Sequence, residues 1–133
     1  MSAIPHPWTD FDPQRVSSAA LQAFFNLSAR WGLSAAHERI LLGSPPESTF
    51  FKWKAEKAAR RLGRDVLDRI SYLLGIYKAL NILLPSPRAA DEWVKKPNAA
   101  PLFQGRSALE RMLGGSLVDL ADVRRFLDAQ RGL

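Results

Sequence analysis

Six cations crowd into one short stretch of this chain. Lys52, Lys54, Lys57, Arg60, Arg61 and Arg64 stand against Glu56 alone, a net of +5 within thirteen residues. The whole 133-residue chain carries +6, so the remaining 120 residues hold only +1 between them. A segment charged this densely is suited to facing phosphates, although a solvated helix face would use the same residue types. Immediately ahead lie Glu47, Ser48 and Thr49. Short hydroxyl side chains reach base edges or phosphates, whereas lysine reads mainly phosphate. The DNA-contact candidates are therefore Glu47, Ser48, Thr49, Lys52, Lys54, Lys57, Arg60 and Arg61. The segment lacks an early arginine and any Asn or Gln. Direct base reading is expected to be weak, helped by a homodimer on two half-sites or by a neighbouring chain.

A second set of residues sits further along. Asn98 follows Pro97, where its side chain can bond the backbone and fix a loop. Gly105 and Gly114-Gly115 allow a partner's main chain to approach closely, though turn chemistry alone accounts for them equally well. Arg124, Arg125 and Arg131 offer fork-shaped donors to carboxylates, or stand solvated.

Neither set makes a catalytic constellation. The chain has no cysteine and two histidines, His6 and His37. His37 is followed by Glu38, but Leu41 stands where a helical metal site needs a second histidine. No G-x-S-x-G, G-x-x-x-x-G-K-[ST] or G-x-G-x-x-G run occurs. The expectation is a binding protein rather than an enzyme, with no metal and no cofactor.

The elements that must position these residues read as helices throughout. Three of the nine prolines fall in residues 1–15, so residues 1–16 are expected to form a flexible arm. Leu21, Phe24, Phe25, Leu27 and Trp31 recur at helical spacing from Ser17 to Trp31, and Gly32 ends that run. Ser34 caps a second helix over Ala35–Leu42, which Gly43 stops. Pro45-Pro46 permits a third from Glu47 to about Glu56, with Phe50 and Trp53 inward, running on through a bend to Leu62-Gly63. A long helix over Asp65–Leu84 carries Val66, Ile70, Leu73, Leu74, Tyr77, Leu80 and Leu84 on one stripe, either internal core or a dimer seam. Pro85 stops it. A short helix over Arg88–Lys95 anchored by Trp93, a loop over 97–105, a helix over Ala108–Leu113 capped by Ser107, and a last helix over Asp119–Gln130 complete the reading. Leu120, Val123, Phe126 and Leu127 face inward on the last.

A chain of this length with 47% apolar residues buries a modest core. The N-terminus shows no signal-peptide pattern, and no apolar run reaches the roughly 18 to 20 residues of a membrane span. A cytoplasmic protein without membrane contact is expected.

Taken together, Trp31 to Trp53 resembles the helix-turn-helix of Xre-type antitoxins over an expected unit of residues 17–64. The back half, residues 65–133, resembles the toxin-binding domain shared by Xre, MbcA and ParS antitoxins. The resemblance rests on Arg69-Ile-Ser-x-Leu-Leu-Gly-Ile-Tyr-Lys-Ala-Leu, Trp93, Lys96-Pro97-Asn98, Phe103-x-Gly105-x-Ser107-Ala-Leu, Gly114-Gly115, and the stretch from Asp119 to Gly132. One departure is Ser44-Pro45-Pro46, where the family more usually has one turn residue and a polar helix start. The resemblance implies an all-α fold, a helix-turn-helix followed by a small helical toxin-binding domain. It implies an antitoxin that blocks a RES-domain toxin, an enzyme that consumes NAD or transfers ADP-ribose, and that regulates its own operon through operator DNA. Asn98, Gly105, Arg124, Arg125, Arg131 and Leu133 are then the candidate toxin contacts, with the Leu133 carboxylate a candidate mimic of a phosphate in the toxin's pocket. A stand-alone helix-turn-helix repressor without a toxin is the competing reading.

Overall fold

The computed structural model describes residues 12–133. Seven helices account for the regular structure among them: α1 (Pro13–Trp31), α2 (Ala35–Leu41), α3 (Glu47–Glu56), α4 (Arg64–Leu83), α5 (Pro87–Trp93), α6 (Ala108–Met112) and α7 (Leu117–Gln130). The described residues contain no strand, only an isolated antiparallel bridge between Pro97 and Ser107. The all-α expectation holds.

Local chemistry explains most of the boundaries. Asp12 accepts the Gln14 N–H at 3.0 Å and Pro13 opens the first turn, so α1 begins four residues ahead of the expected Ser17. Residues 13–16 are thus helical, and the rest of the expected arm, residues 1–11, lies outside the described residues. Gly32 ends α1 in the left-handed region at φ +63°, with Leu33 N–H closing on Ser28 C=O at 3.0 Å. Ser34, Ser86, Ser107 and Ser116 cap the helices that follow them. Ser107 with Glu110 and Ser116 with Asp119 form reciprocal capping boxes. The second of these starts α7 at Leu117, two residues before the expected Asp119.

One expectation fails outright. The third helix does not run on to Leu62-Gly63. Lys57 adopts φ +49° and ends it, and a non-helical strap over residues 57–63, with bends at Lys57 and Arg60, connects α3 to α4. The cause is tertiary. Leu62 is buried in the core and its N–H donates to the Ser17 hydroxyl at 2.9 Å, a contact that a continuing helix would forfeit.

α4 is the spine, packing against α7, α1 and α5. Its buried residues are Leu67, Arg69, Ile70, Leu73, Ile76, Ala79 and Leu80. Ile70, Leu73 and Leu80 are where the stripe put them, whereas Val66, Leu74, Tyr77 and Leu84 are only half-buried. Leu67, Ile70, Leu73, Ile76, Ala79 and Leu80 are therefore core of the fold. Leu21, Phe24 and Trp31 meet it from α1, and Leu120, Val123 and Leu127 from α7, within one continuous cluster. Phe126 is half-buried and joins Trp93 and Phe103 in an aromatic group, with Phe103–Phe126 edge to face at 5.1 Å.

Candidate functional site

The front of the molecule is built around α3. Gly43 leaves α2 at φ +93°, and Ser44 follows at φ +56° with its N–H on Arg39 C=O at 2.9 Å. The Arg39 guanidinium donates to Pro45 C=O at 2.7 Å, bracing the unusual Ser44-Pro45-Pro46 turn from behind. Pro46 caps α3 with no side-chain hydrogen bond, while its carbonyl accepts the Phe50 N–H at 2.9 Å. A Cβ on Gly43 would lie 3.0 Å from both Arg69 Nε and Asp65 Oδ2. Those two groups pair at 2.8 Å, and Arg69 is largely buried, so α4 buttresses the turn directly. Sequence reasoning missed this brace, because a buried arginine on an apolar stripe has no signal apart from its partner four residues back.

A second brace fixes α3 against its neighbours. Glu38 of α2 is 4% exposed, accepts the Ser28 hydroxyl of α1 at 2.6 Å and the Lys54 ammonium of α3 at 2.6 Å. One buried carboxylate thus ties three helices together, satisfied by charge-assisted bonds. Lys54 was expected to point outward toward DNA. It instead turns toward Glu38, because burying that carboxylate unpaired would cost far more than leaving a lysine unused at the surface.

The remaining front candidates do lie on the surface. Glu47, Ser48, Lys52, Lys57, Arg60 and Arg61 are exposed, and Thr49 is half-buried. No carboxylate among the described residues lies within ion-pair distance of Lys52, Lys57, Arg60 or Arg61. Thr49, Lys52, Arg60 and Arg61 line a common cleft of about 510 Å³ between α3 and the strap, together with Trp53 and Glu56.

The back candidates fall into two groups. In the first, Asn98 Oδ1 accepts the Ala100 N–H at 2.9 Å, Asn98 N–H donates to Arg106 C=O at 2.9 Å, and Gly105 N–H donates to Asn98 C=O at 2.9 Å. Gln104 and Gly105 take φ +53° and +84° to make this closure. Nothing stands within 4 Å of where a Gly105 Cβ would be, so backbone angle and not crowding within this chain requires the glycine. Asn98 also borders an apolar groove of about 250 Å³ lined by Leu80, Leu83, Leu84, Trp93 and Phe126. The groove was not anticipated, since it needs the ends of α4, α5 and α7 to converge.

The second group is on α7. Arg124 Nε lies 3.2 Å from both oxygens of Asp128, and Arg131 Nη1 is 3.8 Å from the same carboxylate. Arg125 meets Asp122 at 3.5 Å and stays 79% exposed. These forks therefore already face carboxylates of their own chain. The Arg124 guanidinium reaches Gly75 of α4 with its Nη1 end, where a Cβ would collide with it. Gly132 at φ +81° lets Leu133 N–H close on Asp128 C=O at 2.9 Å, and the Leu133 side chain is 77% exposed.

No helix of the described residues is long and apolar enough to cross a membrane. The fold is that of a helix-turn-helix protein with a second helical module packed on the same spine. The chain matches the model of the antitoxin Xre-like helix-turn-helix domain over residues 10–75, and that of the antitoxin Xre/MbcA/ParS C-terminal toxin-binding domain over residues 79–132. The two matches meet within α4. An uncharacterized protein, y4oB, of Sinorhizobium fredii (strain NBRC 101917 / NGR234) is 51% identical over 114 residues, covering 86% of this chain and 85% of that one. The chain belongs to the Xre/MbcA/ParS family of antitoxins.

Proposed function

We propose that this antitoxin binds and blocks a RES-domain toxin that consumes NAD or transfers ADP-ribose, and that it represses its own operon through operator DNA. Toxin and DNA are the two classes of partner that its paired domains imply. The observation that carries the DNA half is the set of exposed cations beside α3 that have no carboxylate partner among the described residues: Lys52, Lys57, Arg60 and Arg61. Solvated polyanions are the natural complement of such a set, and release of their counterions drives binding. The toxin half is supported by the groove beside Asn98, the hydrogen-bonded Asn98–Gly105 loop, and the exposed Arg125 and Leu133. Arg124 and Arg131 contribute by holding the α7 surface in shape and by exchanging Asp128 for a toxin carboxylate. A homodimer, or an assembly bridged by toxin, presents two α3 helices to two half-sites. Operator and NAD both place this work in the cytoplasm.

The test is co-expression with the neighbouring open reading frame. A stable complex and restored cellular NAD are expected. No complex, with NAD unaffected by the neighbour expressed alone, overturns the toxin half and leaves the stand-alone repressor. Binding to DNA upstream of the gene is measured separately by fluorescence anisotropy.

A further inference from the structure

The strap between α3 and α4 is more than a connector. Residues 57–63 leave α3 by a left-handed residue, Lys57, that is not glycine. Such a conformation persists only where the surroundings over-determine it. The anchor here is Leu62, 3% exposed, with its N–H on the buried Ser17 hydroxyl at 2.9 Å. Ala58 and Ala59 lie half-buried against the body, while Arg60 and Arg61 project into solvent. The strap is thus a non-helical segment with bends at Lys57 and Arg60, tied down at Leu62, with two adjacent arginines at the surface. Its other wall is α3. The cleft between them, about 510 Å³, presents Thr49, Lys52 and Trp53 from α3 and Arg60 and Arg61 from the strap, with Gln14 of α1 also in its lining. Glu56 is the one acidic residue of the lining, so three cations against one anion leave the cleft with a charge of +2.

A cleft with cations on both walls matches one feature of duplex DNA. Each sugar–phosphate chain is a ridge with the major groove on one side and the minor groove on the other. A protein whose helix lies in the major groove and whose adjoining segment lies in the minor groove must straddle that ridge. We propose that the cleft seats one phosphate chain, and that Arg60 and Arg61 enter the minor groove beside the site read by α3. Extended arginine-bearing segments use the minor groove in this way, most favourably where A·T pairs narrow it and deepen its negative potential. The proposal rests on the DNA-binding reading above and adds a second groove to it. It also answers the weak base-reading set on α3, because minor-groove contacts supply A·T preference that Ser48 and Thr49 do not.

Dimethyl sulfate footprinting tests both grooves with one reagent, since it methylates guanine N7 in the major groove and adenine N3 in the minor groove. The probe is the duplex upstream of this gene, with the pairs flanking the protected guanines set to A·T, and the protein is the full chain. The wild type is expected to protect guanine N7 and the flanking adenine N3 positions together. The Arg60→Ala, Arg61→Ala double variant keeps the guanine protection at saturating protein, loses the adenine protection, and binds about tenfold more weakly. Its log–log salt slope falls by about 1.8, two phosphate-equivalents at about 0.9 each. Ser48→Ala with Thr49→Ala has the opposite pattern, weakening guanine protection first. Adenine N3 left open by the wild type, or still covered in the arginine variant, overturns the straddling cleft while operator binding stands. Absence of any footprint overturns the DNA-binding reading itself. Circular dichroism of each variant against the wild type checks the fold.

Discussion

The two ends of this molecule handle positive charge in opposite ways. Around α3 and the strap, Lys52, Lys57, Arg60 and Arg61 have no carboxylate partner among the described residues. From α5 to α7, six of the eight cations, Arg88, Lys96, Arg111, Arg124, Arg125 and Arg131, lie within 4.0 Å of an acidic side chain of the same chain. Lys95 donates instead to Gly32 C=O, and Arg106 stands exposed. Arg111 alone reaches Asp122 at 3.0 Å and Asp119 at 3.6 Å. Unpaired cations make a long-range field suited to a uniform polyanion. Paired ones hold a surface in one shape, offering defined geometry to a protein partner with little net field. The difference separates a face read by charge from a face read by form.

The comparison breaks most severely if the spine is not shared. Leu73 is wholly buried on α4, which packs on both α1 and α7. Leu73→Ala should cost ~2–5 kcal/mol and weaken DNA and toxin binding together. Chemical denaturation followed by tryptophan fluorescence and by circular dichroism should give one coincident transition. Two separated transitions would show independent halves and dissolve the contrast into two unrelated domains.

Next in size is the charge itself. Replacing Lys52, Lys57, Arg60 and Arg61 by Gln removes four cations, so the salt slope of DNA binding should fall by about 3.6. Toxin binding should be unchanged. The Arg125→Gln substitution should leave the slope alone, because that side chain is already matched by Asp122. A slope unmoved by the first set would mean that the front cations are solvent-facing only.

A smaller effect probes how the charged face is aimed. Lys54→Met leaves Glu38 buried with the Ser28 hydroxyl as its remaining side-chain donor. Removing one partner of a buried pair is costly, but the Lys54 side chain is 41% exposed, so the loss is discounted to about 1–3 kcal/mol. Glu38→Gln with Lys54→Met should recover part of it, which a double-mutant cycle measures. Additive losses would show that the two side chains do not interact. Weakened DNA binding by Lys54→Met at unchanged salt slope is the expected sign of tilt in α3 instead of lost phosphate contact.

These residues also show what sequence could and could not reveal. Ser34, Gly43, the start of α3 at Glu47, and Ser107 were legible because caps, prolines and glycines act within a few residues. The strap was not, since Lys57 turns left-handed to satisfy Ser17–Leu62, a contact across 45 residues. The same holds for Lys54. Its type fits a DNA contact, and only the meeting of α1, α2 and α3 at Glu38 redirects it. The Asn98 turn was readable from Pro97-Asn98, whereas the groove it borders depends on three helix ends meeting. Local chemistry set the elements, and long-range contacts decided which charged side chains were left free.

The smallest effect lies within the paired region and concerns pH. Glu92 on α5 accepts a hydrogen bond from Arg88 at 2.9 Å and lies 3.6 Å from Lys96. The Arg88 hydrogen bond and charge, with a lesser contribution from Lys96, hold the Glu92 carboxyl below the usual carboxylate value. A depressed folded-state value means that the ionised form is favoured by folding. The associated stability is present above the unfolded value and is lost as pH falls through the folded one. The group stands at the surface, so solvent and salt screen the effect heavily. Titration of the Glu92 carboxyl carbon by nuclear magnetic resonance should therefore give a midpoint below that of an unstructured peptide. Arg88→Gln should move it upward, and added salt should narrow the gap between the two proteins. A midpoint indifferent to Arg88 would mean that crowded opposite charges on this face do not act as pairs, and the contrast with the open cations of α3 would lose its electrostatic basis.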